Sequence, residues 1–255
     1  MFKRISFMNT YVDTLTFSET IFEMEKIVKH RKITQHVVIN ANKINLMYKS
    51  PELRAIINQC TLINADGQSV VWANRLLNNK YEVHRVTGID LFEKLIEISA
   101  EKGYRVYYLG AKEEIIKKLV LIHSEKYPGL KIAGYQNGYF DHSNCEEIVK
   151  KIYDSHADIL FVAFPSPQKE FWLNKHKEFL NVPLQIGVGG SFDVVAGRVK
   201  RAPIWVQKSG MEWFYRWIYE PRRLFKRYFI GNSIFIYHLM KEKWMIKMSR
   251  EKKRK

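Results

Sequence analysis

The chain has 255 residues, of which 46% are hydrophobic and 27% charged, a balance that excludes a disordered or collagen-like protein. Its net charge is +16, and most of that charge is local: residues 198–255 hold 17 lysines and arginines against four acidic residues, together with four of the six tryptophans. An evenly basic protein is therefore excluded, and a basic, aromatic C-terminal surface is predicted.

The cysteine content and the lengths of the apolar runs indicate the cellular compartment. Cys60 and Cys145 are the only cysteines, so neither a disulfide framework nor a zinc ribbon is expected. Charges and hydroxyls interrupt every apolar run near the N-terminus, so we expect no signal peptide. The longest uncharged stretch near the other end, Tyr228 to Met240, has 13 residues, whereas a membrane-spanning helix needs about 20. These features favour a cytoplasmic protein without a transmembrane helix.

Strand-like and helix-like runs alternate from His36 onward, which predicts a Rossmann-like α/β fold, a mostly parallel sheet with helices on both faces. The predicted strands are His36–Asn40, Cys60–Asn64, Arg105–Leu109, Lys131–Tyr135, Asp158–Ala163 and Leu184–Val188. The predicted helices are Ser18–His30, Pro51–Gln59, Gln68–Asn78, Ile89–Lys102, Glu113–Tyr127, Asn144–Ser155 and Pro167–Phe179. Thr87, three residues before Asp90, is predicted to cap one of these helices.

The pattern changes after Gly190, where no further strand is predicted and short amphipathic, arginine-rich helices follow. We place a boundary near residue 197, between an α/β catalytic domain (1–197) and a helical, membrane-associating C-terminal appendage (198–255). Pro203 breaks the chain near this point, and Pro221 separates two later helices. Aromatic and cationic residues together suit a membrane interface. RNA binding, or simple packing of Trp213 and Trp217 in a helical cap, are the alternatives.

Ligands of open α/β sheets bind beyond the carboxyl ends of the strands, so the residues that follow each predicted strand are candidates for substrate binding. The glycines among them let a diphosphate approach backbone N–H groups, although none belongs to a GxGxxG motif or a P-loop. Each glycine taken alone is more often a tight turn. The candidates are Asn40, Asn42, Gly67, Gly110, Tyr139, Gln168, Gly187 and Gly189.

Asp66 is the candidate general base. A carboxylate between a strand end and a glycine faces a crevice and can accept a proton from a hydroxyl group. The structural alternative is an ordinary Asx turn before a helix. Local sequence alone favours that alternative.

No metal or cofactor is expected, because the chain has no DxD motif and no histidine pair at metal-ligand spacing. The charge of a leaving nucleotide would then be stabilised by arginines, whose guanidinium groups suit phosphate oxygens. The candidates are Arg85, Arg216, Arg223 and Arg227. The alternative for each is a solvated helix face.

Eight short motifs occur in one order between about residues 10 and 230, and together they resemble the WecG/TagA/CpsF glycosyltransferase family. They are Asn64-Ala-Asp66-Gly67, Arg85-Val-Thr87-Gly88-Ile-Asp90, Tyr108-Leu-Gly110, Gly138-Tyr-Phe140, Gly187-Val-Gly-Gly190, Ala196-Gly-Arg198, Arg201-Ala-Pro203 and Glu212-Trp-Phe-Tyr-Arg216. Each motif alone is weak, and the set is specific. Two further segments, Tyr219-Glu-Pro221-Arg-Arg223 and Arg227-Tyr228, extend the resemblance into the appendage.

The resemblance implies an inverting hexosyltransferase without a cofactor. Its donor would be a UDP-sugar, of the N-acetylmannosamine, uronic acid or glucose type. Its acceptor would be an undecaprenyl-diphosphate-linked sugar at the inner face of the cell membrane, in wall, capsule or O-antigen assembly. Asp66 would be the base, and arginines of the appendage would close the site over the diphosphate. The strand-end loops that would hold the donor add Arg85, Thr87, Gly88, Asp90, Lys169 and Glu170 to the substrate-binding candidates.

Two positions depart from the family pattern. Val38-Ile-Asn40 stands where Thr-x-Asn is usual, and Pro167-Gln168-Lys169-Glu170 stands where Pro-Lys-Gln-Glu is usual. The identity of the sugar is therefore not carried over. A nucleic-acid partner is not expected, and the oligomeric state stays open, a homo-oligomer included. The competing functional class is an RNA- or membrane-binding module without transferase activity.

Overall fold

The computed structural model describes residues 3–77 and 80–252, without the side chains of Lys208, Arg223, Lys226, Arg227 and Arg250. Its strands are β1 (Arg4–Phe7), β2 (Thr10–Asp13), β3 (Thr34–Ile39), β4 (Leu62–Ala65), β5 (Arg105–Gly110), β6 (Lys131–Gln136), β7 (Ile159–Ala163) and β8 (Leu184–Gly187). Strands β3 to β8 form one parallel sheet in the order β4-β3-β8-β7-β5-β6. The predicted fold class is confirmed, and each predicted strand lies within two residues of the observed one.

Helices cover both faces of the sheet. They are α1 (Phe17–Lys29), α2 (Ala41–Lys49), α3 (Pro51–Gln59), α4 (Gln68–Leu76), α5 (Gly88–Lys102), α6 (Glu113–Lys126), α7 (Glu146–Asp154), α8 (Gln168–Leu180) and α9 (Ser191–Val195). Helices α1, α5, α6 and α9 bury their apolar sides against one face, and α2, α3, α4, α7 and α8 against the other. Successive residues of each strand point to opposite faces of the sheet, so they pack alternately against one helix layer and the other.

Two elements were missing from the sequence prediction. One is helix α2, which begins directly after β3; its N-cap is Asn40, the residue predicted to end the first strand. The other is the hairpin of β1 and β2, whose strands have only four residues each. The hairpin is anchored by Asp13, which receives hydrogen bonds from Arg4 Nε at 2.6 Å and from the backbone N–H of Ile63 at 2.7 Å. The second contact satisfies a donor on the edge strand β4.

Several predicted helix bounds also need correction. The helix predicted to start at Asn144 starts at Glu146, and the one predicted to end at Phe179 ends at Leu180. The helix predicted to end at Asn78 ends at Leu76, and Asn78 itself lies outside the described residues. Shifts of this size are normal, because helix ends depend on capping contacts that local sequence specifies weakly.

The appendage forms α10 (Ile204–Lys208), α11 (Glu212–Tyr219), α12 (Pro221–Phe225) and α13 (Gly231–Lys252), with a π-helical turn at Lys226–Ile230 between the last two. Pro221 does separate two helices, as predicted. No strand follows β8 in the described part of the chain. The rings of α11 pack in part on the π-helical turn, with Trp217 5.1 Å from Phe229 between centroids.

Helix α13 is longer than the short pieces expected from the sequence, and it packs directly on α2. Its Phe235 and Leu239 are buried in the core shared with α2. Asn45 Nδ2 donates to the carbonyl of Gly231 at 2.7 Å, and the Tyr48 and His238 rings stack 3.7 Å apart. None of the described helices combines the length and the apolarity that crossing a membrane would need.

Candidate active site

The carboxyl ends of the six parallel strands meet at one edge of the sheet, and Asp66 lies there directly after β4. Its backbone N–H donates to the carbonyl of Ile39 at 2.7 Å, so the Asp66 turn lies against the end of β3, where Asn40 begins α2. Gly67 has φ +111°, a conformation that favours glycine, and a Cβ there would lie 4.0 Å from Asn40 Cβ. Asp66 and Asn40, both predicted site residues, are thus neighbours.

The first residue of the Asn64-Ala-Asp66-Gly67 motif has a structural contact network. Asn64 is buried, its Oδ1 lies 3.0 Å from His36 Nε2, and its Nδ2 donates to Thr20 Oγ1 at 3.1 Å. Burial lowers the pKa of His36 to about 4, so the imidazole is neutral at physiological pH. This network fixes β4 against β3 and α1 and so positions the turn that carries Asp66.

Arg85 lies beside β4 and connects it to the appendage. Residues Ala65 and Arg85 form a parallel bridge next to Asp66. The Arg85 guanidinium donates to Glu212 Oε2 at 2.7 Å and to the carbonyl of Gln207 at 3.1 Å. The arginine that the sequence associated with phosphate is therefore held by α11 and by the end of α10.

The other carboxylate oxygen of Glu212 accepts a hydrogen bond from a second arginine. Arg216 Nη2 donates to Glu212 Oε1 at 2.9 Å, one helical turn further along α11. The Glu212 side chain is only 14% exposed and that of Arg85 22%, whereas that of Arg216 is 35% exposed, so the Arg85 pair is the better shielded from bulk water. Arg216 Nε is buried and has no hydrogen-bond partner in the part of the chain that the structure describes. Sequence analysis quoted Glu212 in a motif but gave it no role.

The electrostatic surroundings of Asp66 are mixed. Burial, the largest effect, raises the pKa of Asp66 above its ordinary value because the ionised form loses hydration. Arg216, Arg85 and, less strongly, Lys43 lower this pKa, and Glu212 raises it. Burial outweighs the cations. Asp66 is therefore a carboxylate whose proton affinity is higher than that of an exposed aspartate, which is the direction of change that favours a general base.

Thr87, Gly88 and Asp90 begin helix α5. Thr87 Oγ1 accepts from the N–H of Asp90, which confirms the predicted cap. The Asp90 carboxylate forms an ion pair with Arg201, which also pairs with Glu93 at 3.3 Å. These contacts attach the start of the appendage to α5. They give Thr87 and Asp90 a structural role, and substrate binding by them stays a prediction.

A buried ionic cluster lies between α2 and α8. Lys43 Nζ is 2.7 Å from Glu170 Oε1, and Lys169 Nζ is 3.7 Å from the same oxygen. Lys43 was missed by sequence analysis, since the helix that carries it was not predicted. Gln168, by contrast, is exposed at the start of α8. The Lys169 side chain runs across Gly187, at the end of β8, and its Nζ approaches Gly189.

Gly110 and Tyr139 lie towards the other side of the sheet. Gly110 ends β5 with φ +120°, and a Cβ there would lie 2.9 Å from the backbone N of Ala163, so glycine is required. Tyr139 is 75% exposed and lines an open depression of about 410 Å³ beyond β5 and β6. Because β4 and β6 are opposite edges of the sheet, Tyr139 is not brought to Asp66.

Three further predicted residues are placed less fully. Asn42 is half-buried on α2, and the structure shows no contact that assigns it a role. Arg223 lies in α12 and Arg227 in the π-helical turn, and the side chains of both lie outside what the structure describes.

Comparison with known proteins places this site in a family context. The sequence profile described as "Glycosyl transferase WecG/TagA/CpsF family" matches residues 5–249. A Bacillus subtilis protein named N-acetylglucosaminyldiphosphoundecaprenol N-acetyl-beta-D-mannosaminyltransferase is 38% identical over 168 residues, which cover 66% of this chain and 64% of the relative. A protein of the same name from Bacillus spizizenii is 34% identical over 175 residues, which cover 69% and 67%. The matched segment thus spans about two thirds of these relatives.

Replacement of Asp66 by asparagine is expected to stabilise the fold at neutral pH. Because the pKa of Asp66 is higher in the folded chain than in the unfolded one, its stabilising contribution is complete below about pH 3.9 and is lost as the pH rises through the raised value. Asparagine avoids this loss. Thermal unfolding should therefore show a higher Tm for Asp66→Asn than for the wild type at pH 7, with the gap closing towards pH 4.

The matched control is Asp154→Asn, which changes an exposed aspartate at the end of α7. Its Tm should follow the wild type across the same pH range. A wild-type protein that is more stable than Asp66→Asn at pH 7 would contradict the raised pKa.

Proposed function

Because the chain belongs to the WecG/TagA/CpsF family of glycosyltransferases, we propose that it transfers a hexose from a UDP-sugar to an undecaprenyl-diphosphate-linked acceptor. The observation that carries this proposal is the junction of Asp66 with the appendage. The Asp66 carboxylate, whose pKa is raised, lies at the strand ends. Glu212 holds the guanidinium groups of Arg85 and Arg216 close enough to Asp66 to lower its pKa. A base beside cations is what transfer of a sugar from a nucleotide to an alcohol requires.

The reaction is a single displacement with inversion. Asp66 accepts the proton of the acceptor hydroxyl while the hydroxyl oxygen attacks the anomeric carbon. The bond between that carbon and the diphosphate oxygen breaks, and UDP leaves with the electron pair. Arg216 stabilises the negative charge that develops on the departing diphosphate, and Arg223 and Arg227 are further candidates for this role. Glu212 positions Arg216 and Arg85 rather than taking part in the bond changes.

The names of the two relatives support the choice of substrates. Both describe transfer of an N-acetylmannosaminyl group to an N-acetylglucosaminyl-diphosphoundecaprenol. We accordingly place the present chain in the assembly of a cell-surface polysaccharide, of the wall, capsule or O-antigen kind, with an N-acetylmannosamine-type or glucose-type donor. A diphosphate-linked acceptor and a diphosphate-linked donor both suit a site with clustered cations.

The outward side of α13 supports a peripheral position at the inner face of the cell membrane. Ile236, Met240, Trp244 and Met248 recur every four residues, and each is between 39% and 63% exposed. A spacing of four residues advances by about 40° at each step, so the four side chains form a slanting stripe that starts near Leu239 and reaches the opposite side of the helix at Trp244. Lysines at 241, 243 and 247 flank the stripe. An apolar stripe flanked by cations is typical of a helix that lies in the interface of an anionic bilayer.

The direct test of the proposed function is release of UDP from a panel of UDP-sugars, incubated with the full-length protein and short-chain lipid-diphosphate acceptors. Asp66→Asn should lower turnover by at least about a hundredfold, because the hydroxyl loses its base, while UDP binding stays within about twofold. Asp154→Asn is the matched control and should keep full turnover.

Two outcomes would refute parts of this proposal. Near-normal turnover of Asp66→Asn would remove this residue from the role of base. A wild-type protein that releases no UDP from any donor but shifts RNA in a gel would favour the RNA-binding alternative. Full-length variants are preferred to truncation at residue 197, because Phe235 and Leu239 of α13 complete the core.

Membrane docking is tested with Trp244→Ser, which removes the largest ring from the exposed stripe. The wild-type protein should co-sediment with phosphatidylglycerol vesicles, less so at high salt, because cations of the appendage meet anionic headgroups. Trp244→Ser should sediment several-fold less. Phe179→Ser changes a side chain that is 73% exposed on α8 and should bind like the wild type. Equal sedimentation of all three proteins would count against docking through α13.

A further inference from the structure

Glu170, in the first turn of α8, connects two helices that start at the carboxyl ends of different strands. Its Oε1 lies 2.7 Å from Nζ of Lys43, which belongs to α2, the helix that follows β3. The same oxygen accepts a hydrogen bond from Ser166 Oγ, in the loop after β7, at 3.1 Å. Strand β8 lies between β3 and β7 in the sheet, so the pair of Lys43 and Glu170 spans the end of β8.

The Glu170 carboxylate is enclosed by protein. The side chains of Lys43 and Glu170 are only 4% and 2% exposed. The space between Glu170, His36 and Gly187 is too small to hold a water molecule, so it has no room for a sugar or a phosphate. Burial alone would raise the pKa of Glu170, but Lys43 and Lys169 keep it below its ordinary value. An ionised, enclosed carboxylate of this kind holds protein groups in place.

Lys43 connects this ion pair to the turn that carries Asp66. Its backbone N–H donates to Asn40 Oδ1 at 3.1 Å, which closes the first turn of α2. Asn40 directly follows Ile39, whose carbonyl accepts from the Asp66 N–H at 2.7 Å. The chain of contacts thus runs from Glu170 through the first turn of α2 to the backbone of Asp66.

We propose that Lys43 is a positioning residue for the transfer reaction, because its buried ion pair with Glu170 fixes the first turn of α2 and, through that turn, the position of Asp66. The inference rests on the proposed function and deepens it by assigning the contact that places the base. A displacement of about 1 Å at a reacting group can lower a rate by about a hundredfold, so a contact outside the reacting atoms can control turnover. Glu170 acts through Lys43.

Lys43 also brings a positive charge to the side of Asp66 that faces α2. It lowers the pKa of Asp66, although less than the arginines do. The other charged groups that act on this pKa are Arg216, Arg85 and Glu212. Removal of the Lys43 ammonium therefore raises the pKa of Asp66, whereas Glu170→Gln leaves that ammonium in place. The two halves of the ion pair share one effect on position and differ in their effect on pH dependence.

The direct test is amide hydrogen exchange of the full-length protein, measured by NMR without any substrate. In Lys43→Met the Asp66 N–H should exchange at least about tenfold faster, because the first turn of α2 loses its anchor. The reference is the N–H of Asp158, which donates to the Arg105 carbonyl at 2.7 Å at the amino-terminal ends of the strands. Its exchange should change by less than about twofold. Unchanged exchange at Asp66, or equal acceleration at Asp66 and Asp158, would overturn the positioning role.

Kinetics of UDP release give a second readout. In Lys43→Met and in Glu170→Gln, kcat/KM should fall by about tenfold or more while the affinity for UDP stays within about twofold. The acid limb of the pH profile should move to higher pH in Lys43→Met alone. Lys43→Met/Glu170→Gln should be no slower than the slower single variant, because the two residues act as a unit.

The matched control is Lys49→Met, which removes the same charge from an exposed position at the end of α2 and should behave like the wild type in every measurement. A lower Tm of Lys43→Met with wild-type kcat/KM and an unmoved acid limb would reduce Lys43 to a structural residue and overturn the proposal. Loss of UDP affinity by more than about tenfold would indicate a direct substrate contact and would overturn it as well.

If Lys43→Met does not fold, Lys43→Met/Glu170→Met takes its place. It replaces both charges by apolar side chains of similar length, a change that buried ion pairs often tolerate. Faster exchange at Asp66 and an acid limb at higher pH in this variant support the proposal. Wild-type exchange together with a wild-type acid limb overturns it.

The proposed function and this inference can fail separately. If the wild-type protein releases no UDP from any donor, the proposed function is refuted, and the exchange of the Asp66 N–H in Lys43→Met still decides whether Lys43 positions the turn. A wild-type protein that releases UDP, with Asp66 exchange unchanged in Lys43→Met, retains the function and refutes the inference.

Discussion

Glu212 joins two parts of the chain that are 127 residues apart, because its two carboxylate oxygens hold Arg85 beside β4 and Arg216 on α11. Arg85 adjoins the turn that carries Asp66, so the pairing fixes the appendage next to the strand ends. Loss of either arginine would leave one oxygen of the largely buried Glu212 carboxylate unpaired. The free-energy cost of such an unpaired buried charge exceeds what an exposed ion pair contributes to stability. The Asp66 site as described depends on this one carboxylate, and so does its electrostatic balance.

That balance is the basis on which we propose Asp66 as the base. Burial raises its pKa, and the arginines limit the rise, so the carboxylate binds a proton more readily than an exposed aspartate does. The arrangement is expected to cost stability, because an ionised carboxylate in a desolvated turn opposes folding. The cations that moderate this cost are the same groups that we assign to the departing diphosphate. One set of contacts thus links stability, basicity and leaving-group stabilisation.

Much of the fold follows from local pattern, and the site follows in part. Buried runs such as Asp158–Ala163 identified the strands, and a parallel sheet brings their ends together, which placed Asp66 and Asn40 side by side. The roles of Glu212 and Lys43 were not predicted, because each depends on a partner 127 residues away that local sequence does not specify. Strands β1 and β2 were missed since four residues give too little periodicity, and α2 was missed since it follows β3 with only Asn40 between them. Helix α13 was read as several pieces because its apolar residues divide between the core and the outward stripe.

The central claim is that Arg216 of the appendage and Asp66 of the sheet form one electrostatic unit. Its most direct measurement is the acid limb of the pH profile of kcat/KM for UDP release, in the wild type and in Arg216→Gln. Arg216 is the strongest of the charges that lower the Asp66 pKa, so its loss should move this limb to higher pH. Arg222→Gln, at an exposed position of α12, should leave the limb in place. An acid limb that is identical in the wild type and in Arg216→Gln would contradict the account.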